Sequence, residues 1–195
     1  LKHCLQIKSG LLAGFRVIRM DRAEKLIAFL KELGIKPKVD DFESKLVIQK
    51  SICLLELMGA KLGYNYSLYV RGPYSAELTK ELYSKKDEIQ LLKGNYALTE
   101  KEKRMAKEIC EQSNGLGPSL LEIIATYSFL AYRMKMSPTQ ATIKLKKLKP
   151  FYSETQIAIG INRAKLLFPP SQKEISEMRA EMKDWEEMSN TSFGE

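Results

Sequence analysis

Residues 64–78 read YNYSLYVRGPYSAEL, and this stretch decides the predicted fold. Its first half, Tyr64 to Val70, alternates large apolar residues with others and is rich in aromatic types, which is typical of a short, half-buried strand. The residues Arg71-Gly72-Pro73 are expected to end the strand. Ser75 can then cap a helix that runs to about Ile89, so a strand is followed at once by a helix.

Two helices are predicted upstream of this stretch. From Asp21 the apolar residues recur at helical spacing until Gly34 and Pro37 stop the pattern. A second helix is capped by Asp40 or Asp41 and ends near Gly59. Its wide apolar face predicts a buried helix, and that face comprises Phe42, Leu46, Ile48, Ile52, Leu55 and Met58.

A small hairpin or wing is predicted directly downstream, over residues 91–98, because Gly94-Asn95 lies between two short apolar pieces. Thr99 and Glu102 then have the spacing of a capping box for a helix to about Ser113. The loop over residues 114–118, rich in Gly and ending in Pro118, is the strongest loop signal in the chain and a candidate boundary.

Four more helices are predicted after this loop. The first runs from Pro118 to Met136, and the second follows Ser137-Pro138. The second is expected to bury Ala141, Ile143, Leu145 and Leu148. The third runs from the capping box of Ser153 and Gln156 through Phe168. The last begins at Ser171 and carries many acids beside an apolar stripe made of Ile175, Met178, Met182 and Trp185.

The sequence therefore predicts a mainly α protein. Residues 20–113 would form a winged-helix-like domain with a short strand and a wing hairpin. Residues 118–189 would form a helical C-terminal region that packs on this domain or mediates homodimerisation through the last helix, and both alternatives stay open. Residues 1–19 precede the first convincing helix and are interpreted as a leader that is non-native or disordered.

Composition limits the kind of protein. Hydrophobic residues make up 44% and charged residues 29% of the 195 residues, as in ordered globular chains. The apolar runs are too short for a membrane span, and no signal-peptide pattern is present. Cys4, Cys53 and Cys110 are odd in number and far apart, which favours packed, reduced thiols and predicts a cytoplasmic protein.

The residue types that support catalysis are sparse. The only histidine, His3, lies in the leader. The sequence contains no phosphate-binding glycine loop and no spacing of Cys, His or carboxylates that indicates a metal site. We therefore expect no enzymatic activity, no cofactor and no metal. An enzyme that uses carboxylates alone would require folding to bring distant acids into one cleft.

Three motifs in order carry a resemblance to a known family: KLVIQK at residues 45–50, YVRGPYSAEL at 69–78 and LTE at 98–100. Together with LEIIAT at 121–126 and LKKLKP at 145–150, they resemble the YwgA-like predicted winged-helix regulators over about residues 40–168. Panacea-type antitoxin domains are similar more distantly. The resemblance implies a winged-helix fold and a regulatory role, with residues 75–89 in the recognition-helix position and residues 93–95 at the wing tip.

Charge is unevenly distributed along the chain, whose formal net charge is +8. Residues 75–89 carry three bases and four acids, which suits a recognition helix poorly. Residues 133–165 carry eight bases and one acid, which indicates either a phosphate-binding face or a solvated surface. The residues predicted to contact nucleic acid are Lys144, Lys146, Lys147, Lys149, Arg163, Lys165, Arg133, Lys80 and Lys93.

Two functions follow from these observations. The first is a dimeric, DNA-binding transcriptional regulator of winged-helix type. The second is a protein-interaction module, such as an antitoxin-like or defence-associated factor without DNA binding, and the acidic helix over residues 75–89 favours it. The tyrosines around the predicted strand could stack on bases or a partner protein, but core packing is the more common role of such residues.

Overall fold

A computed structural model of the chain describes residues 22–113 and 117–169, together with the isolated positions 175, 176 and 179. The predicted leader, and the predicted last helix apart from those three positions, lie outside the described residues. Within the described part, no helix combines the length and apolar character needed to cross a bilayer. The elements in chain order are α1 (residues 22–32), α2 (Phe42–Met58), β1 (Ser67–Tyr69), β2 (Gly72–Tyr74), α3 (Ala76–Ser84), α4 (Lys86–Gln90), α5 (Glu100–Ser113), α6 (Pro118–Ser128), a π-helical turn (Phe129–Arg133), α7 (Pro138–Leu148) and α8 (Glu154–Leu167).

Most of these elements are helices, so the predicted mainly α fold class is confirmed. The predicted capping signals are also present. The carboxylate of Asp41 accepts a hydrogen bond from the first turn of α2. Thr99 and Glu102 bond each other's backbone N–H at the start of α5, and Ser153 and Gln156 do the same at α8. Each cap of this kind contributes about 0.5–2 kcal/mol, so these helix starts are encoded locally.

One hydrophobic core runs through the described residues. The helix α2 contacts α5, α6 and β2, while α6 also packs against α8. The approach of α8 to α6 is close, because a Cβ at Gly160 would lie 2.4 Å from a methyl group of Ile123. The core includes buried side chains from both halves of the chain: Leu26, Phe29, Leu30, Ile48, Ile52, Leu55, Leu78, Leu82, Met105, Ile109, Ile124, Tyr127, Leu145, Ile157 and Ile161.

The predicted strand over residues 64–70 is one half of a tight hairpin. The chain reverses at Val70-Arg71, and β2 pairs antiparallel with β1, so that Tyr69 faces Gly72 and Ser67 faces Tyr74. The residues Arg71-Gly72-Pro73 were expected to end the strand, and β1 does end at Tyr69, but Gly72 and Pro73 then belong to a second strand. Pro73 can be accommodated because a two-stranded hairpin consists of edge strands, where a missing N–H leaves no ladder bond unpaired.

The predicted wing over residues 91–98 is absent, since this segment contains no strand. It is held against α1 instead. The Lys31 ammonium donates to the Gly94 carbonyl at 2.8 Å, and a Cβ at Gly94 would lie 3.1 Å from a methyl group of Ile27. The hairpin of this protein therefore precedes α3, whereas the predicted wing was expected to follow that helix.

Some predicted helix faces also differ from the structure. Ala141 and Leu145 of α7 are buried as predicted, but Ile143 is exposed. Phe42, assigned to the buried face of α2, is 62% exposed because it occupies the first position of the helix, at the edge of the core. These differences arise because periodicity identifies a helix better than it identifies the width of the buried face.

Two predicted helices are interrupted. The helix expected over residues 75–89 is divided into α3 and α4 at Lys85, whose backbone leaves the helical region. The helix expected from Pro118 to Met136 widens at Phe129 into the π-helical turn. The chain then turns back at Lys135, which has a positive φ of 54°.

Candidate functional site

The turn of the hairpin is fixed by a close contact with α6. Gly72 has a φ of +82°, in the region that favours glycine. A Cβ at Gly72 would lie 2.2 Å from the Thr126 hydroxyl oxygen, and Thr126 is buried. The hydroxyl of Thr126 in turn donates to the Glu122 carbonyl at 2.6 Å. The hairpin therefore reaches its position only because residue 72 lacks a side chain.

Two buried lysines bind the carbonyl oxygens of this hairpin. The Lys149 ammonium, from the end of α7, donates to Val70 at 2.7 Å. The Lys50 ammonium, from α2, donates to Pro73 at 2.6 Å. Both lysine residues are at most 2% exposed. A lysine is almost never fully buried without a partner, so the contacts of these two ammonium groups determine whether the site is stable.

The counterion of this site is Glu122, on α6, which is 1% exposed. Its carboxylate forms a buried ion pair with Lys149 and lies 3.6 Å from the guanidinium of Arg71. Burial lowers the pKa of Lys50 to about 8 and lowers the pKa of Lys149, while Glu122 acts in the opposite direction on both. Burial is therefore the larger effect on each ammonium, and the single buried acid offsets only part of it.

Exposed aromatic and aliphatic side chains surround this buried pair. Phe42, Tyr69 and Phe151 are exposed, and Val70 is 75% exposed at the tip of the hairpin. The side chain of Arg71 is more than half exposed. These five residues are here called the hairpin-tip surface.

Tyr152 and Lys149 lie next to several members of this surface. Phe42 and Arg71 line one shallow pocket of about 210 Å³, together with Tyr152. The ring centres of Tyr152 and Phe151 are 4.7 Å apart, and the Lys149 ammonium lies 5.9 Å from the Phe151 ring centre. The buried ion pair therefore lies next to an exposed apolar surface that contains one arginine.

The predicted acidic face of α3 is largely engaged within the protein. Glu81 is buried, pairs with Arg22 at 2.8 Å and accepts a hydrogen bond from the Tyr64 hydroxyl at 3.1 Å. Glu77 lies 3.8 Å from the same guanidinium and also accepts from Asn65. Burial and the neighbouring Glu81 raise the pKa of Tyr64 well above its ordinary range. These acids therefore connect α3 with α1 and with the segment that precedes β1.

The structure separates the nucleic-acid contacts predicted from the sequence. Lys149 was assigned to a phosphate-binding face, but it is fully buried, so that assignment was wrong. Lys146 is exposed and pairs with Glu154 at 2.5 Å, and Arg163 donates to Gln112 at 3.2 Å. Lys144 and Lys147 are exposed on α7, and Lys165 is exposed on α8. Exposed positions on other elements are Arg133 in the π-helical turn, Lys80 on α3 and Lys93 before α5.

The cysteines and the possible metal ligands were compared with what reactive thiols and metal sites require. Burial raises the pKa of Cys53 to about 12 and also raises the pKa of Cys110, so both are protonated at neutral pH. Within the described part of the chain, no group of three Cys, His, Asp or Glu residues is arranged to hold a metal ion.

The buried pair could not be identified from the sequence alone. Glu122 and Lys149 are 27 residues apart and each is surrounded by residues of ordinary helical pattern. One signal was present, since Glu122 lies inside the apolar run of α6, where a charged residue requires a partner. The placement of Lys50, Arg71 and Lys149 around Glu122 depends on the tertiary structure.

No family model, curated protein or solved structure matched this chain. The resemblance to YwgA-like regulators therefore stays a prediction from the motifs of the sequence.

Proposed function

We propose that this protein is a protein-interaction module that binds a partner protein at the hairpin-tip surface. The observation that carries the proposal is the exposure of Tyr69, Val70 and Phe151 beside Arg71, next to the buried Lys149–Glu122 pair. Aromatic residues and arginine are enriched in protein interfaces and dominate their binding energy.

The ordered backbone of the hairpin tip supports this proposal as much as the residue types on its surface do. A surface whose backbone is already ordered loses little conformational entropy when it binds. The carbonyls of Val70 and Pro73 are held by buried ammonium groups, so the tip has a defined shape before any partner arrives. The more distant resemblance to Panacea-type antitoxin domains agrees with a module that binds another protein.

The test uses a photo-crosslinking amino acid placed at Tyr69 or Phe151 of the full chain, expressed in its native cells. The same adduct is expected from both positions. A crosslinker at Leu91, which is equally exposed, is the matched control and should give no such adduct. Adding Val70→Glu should abolish the adduct. Adducts that are equally frequent at Leu91, or that survive Val70→Glu, would contradict the proposal.

A second candidate is a DNA-binding transcriptional regulator of winged-helix type, and a different observation favours it. Lys144 and Lys147 are exposed three residues apart on α7. Neither has an ion-pair partner within the described residues. Ammonium groups placed in this way can contact phosphates and release counterions. Lys149 is not one of these exposed cations, because its side chain is buried and its ammonium pairs with Glu122.

Salt-dependent binding to mixed genomic duplex fragments tests the second candidate. If both lysines contact phosphates, Lys144→Ala with Lys147→Ala should reduce the salt slope by about 2. The control is the pair Lys101→Ala and Arg104→Ala, two exposed cations with the same spacing on α5. Absence of binding at low salt, or equal effects of the two pairs, would count against DNA binding through α7.

A further inference from the structure

A second group of exposed apolar side chains lies where α8 ends. The rings of Tyr132 and Phe168 stack with centres 4.3 Å apart, which places the π-helical turn against the end of α8. Met134 follows this turn and is exposed, and Leu166 is 62% exposed. Two cations, Arg133 and Lys165, are exposed beside them. The four residues Arg133, Met134, Lys165 and Leu166 are here called the α8-end surface.

The charges on this surface are unbalanced. Neither Arg133 nor Lys165 has an ion-pair partner within the described residues. The backbone N–H of Phe168 donates to the Lys165 carbonyl at 3.3 Å, so Lys165 lies in the last turn of α8, close in the chain to the ring that stacks on Tyr132. An occupant of this surface would therefore combine an apolar face with negative charge.

The chain itself supplies a segment with that chemistry. Residues 171–189 contain six acids and three bases, and the apolar stripe of Ile175, Met178, Met182 and Trp185 recurs at helical spacing. Glu174 and Glu181 are seven residues apart and flank the stripe on one side. This acidic, amphipathic pattern is complementary to the exposed cations and apolar side chains of the α8-end surface.

The segment also begins beside this surface. The helix α8 ends at Leu167, and Pro169-Pro170 prevents the helix from continuing in the same direction. A connection this short gives the segment a high effective concentration near the α8 end of its own chain, on the order of millimolar. Intrachain docking is therefore favoured over docking on a second copy at ordinary protein concentrations.

We propose that residues 171–189 dock as an acidic helix on the α8-end surface of their own chain. The apolar stripe covers Met134 and Leu166, while Glu174 and Glu181 approach Arg133 and Lys165. The docked segment neutralises two of the cations predicted to contact nucleic acid. The inference is independent of the function proposed for the hairpin-tip surface, which lies on other elements.

Trp185 is the only tryptophan of the chain and reports on docking without any labelling. In the full-length protein at low salt, its emission is expected to be blue-shifted and poorly quenched by acrylamide. The double variant Met134→Ser with Leu166→Ser should shift the emission to the red and raise the quenching constant toward that of N-acetyl-tryptophanamide. Leu91→Ser, at an equally exposed position, is the matched control and should change neither quantity.

Charge reversal tests the electrostatic part of the proposal. Glu174→Lys with Glu181→Lys should release Trp185, and Arg133→Glu with Lys165→Glu in the same chain should restore its protection. Arg133 and Lys165 are exposed, and far-ultraviolet circular dichroism verifies that each variant is folded.

Three results would overturn the proposal. The first is a wild-type Trp185 that is as quenchable as the free indole at low salt. The second is a protected Trp185 that responds neither to the apolar variants nor to charge reversal. The third is protection that disappears on dilution together with a dimer mass in light scattering, because it would place the segment on a second copy.

Discussion

The Lys149 ammonium bridges the Glu122 carboxylate and the Val70 carbonyl, so one buried side chain connects α7, α6 and the tip of the hairpin. Burial of an ion pair need not increase stability overall. The ion pair instead fixes the relative positions of α6, α7 and the hairpin, because the buried charges of Lys149 and Glu122 are paired only when these three elements meet. The exposed hairpin-tip surface therefore depends on a contact that lies entirely beneath it.

Removal of the carboxylate tests this dependence. Glu122→Gln leaves the Lys149 ammonium buried without a counterion, and the free energy of unfolding should fall by about 3–5 kcal/mol. Denaturant unfolding followed by circular dichroism measures the change. Glu154→Gln, which breaks the exposed pair with Lys146, is the control and should cost about 1 kcal/mol or less. Equal effects of the two variants would show that Glu122 is not an essential counterion.

Gly72→Ala should destabilise the protein through two separable effects. The positive φ costs about 1 kcal/mol, and the new Cβ would also collide with the Thr126 hydroxyl, 2.2 Å away. Gly59→Ala is the control for the backbone effect, since Gly59 has a φ of +98° and open space around it. In thermal unfolding, Gly72→Ala should be the more damaging change, and Thr126→Ala should reduce the difference. Equal losses at both glycines would exclude the collision.

Lys50 should make stability depend on pH in the alkaline range. Burial lowers its pKa from the ordinary 10.5 to about 8. Between these two values the unfolded chain retains a proton that the folded protein has lost, so stability should rise with pH across this window. The maximum gain of wild type relative to Lys50→Met is about 3 kcal/mol.

The comparison with Lys50→Met also removes an opposing effect. Burial raises the pKa of Cys53 from 9.0 to about 12, which makes stability fall as pH rises above the lower value. Both proteins retain Cys53, so this effect cancels in the difference. Urea unfolding at several pH values provides the measurement, and a difference that is flat from about pH 8 to pH 10 would contradict the role of Lys50.

Cys53 should react with thiol reagents only when the protein opens. Its raised pKa and its burial leave almost no accessible thiolate at neutral pH. In a chain with Cys4→Ser and Cys110→Ser, labelling by Ellman's reagent should be slow and should accelerate strongly in urea. A chain that keeps only Cys110, which is partly exposed, is the comparison and should label faster under native conditions. Rapid native labelling of Cys53 would contradict this expectation.

The sequence by itself determined the mainly α class and where several helices begin. The cap at Asp41, the capping boxes at Thr99 and Ser153 and the break at Pro138 act within one helical turn, so neighbouring residues suffice to predict them. The inward positions Ala141 and Leu145 follow from helical spacing in the same way. Signals of this kind are short-ranged and need no knowledge of the rest of the chain.

Only the tertiary structure decided which residues of the basic stretch face solvent and where the hairpin lies. Lys147 and Lys149 belong to the same run, yet one is exposed and the other is buried against Glu122, which is supplied by a different helix. Likewise, Gly94 forms no hairpin turn but packs against α1, where Lys31 donates to its carbonyl and Ile27 lies close to its Cα. The burial of a charge depends on partners distant in sequence, because its desolvation cost must be offset in three dimensions.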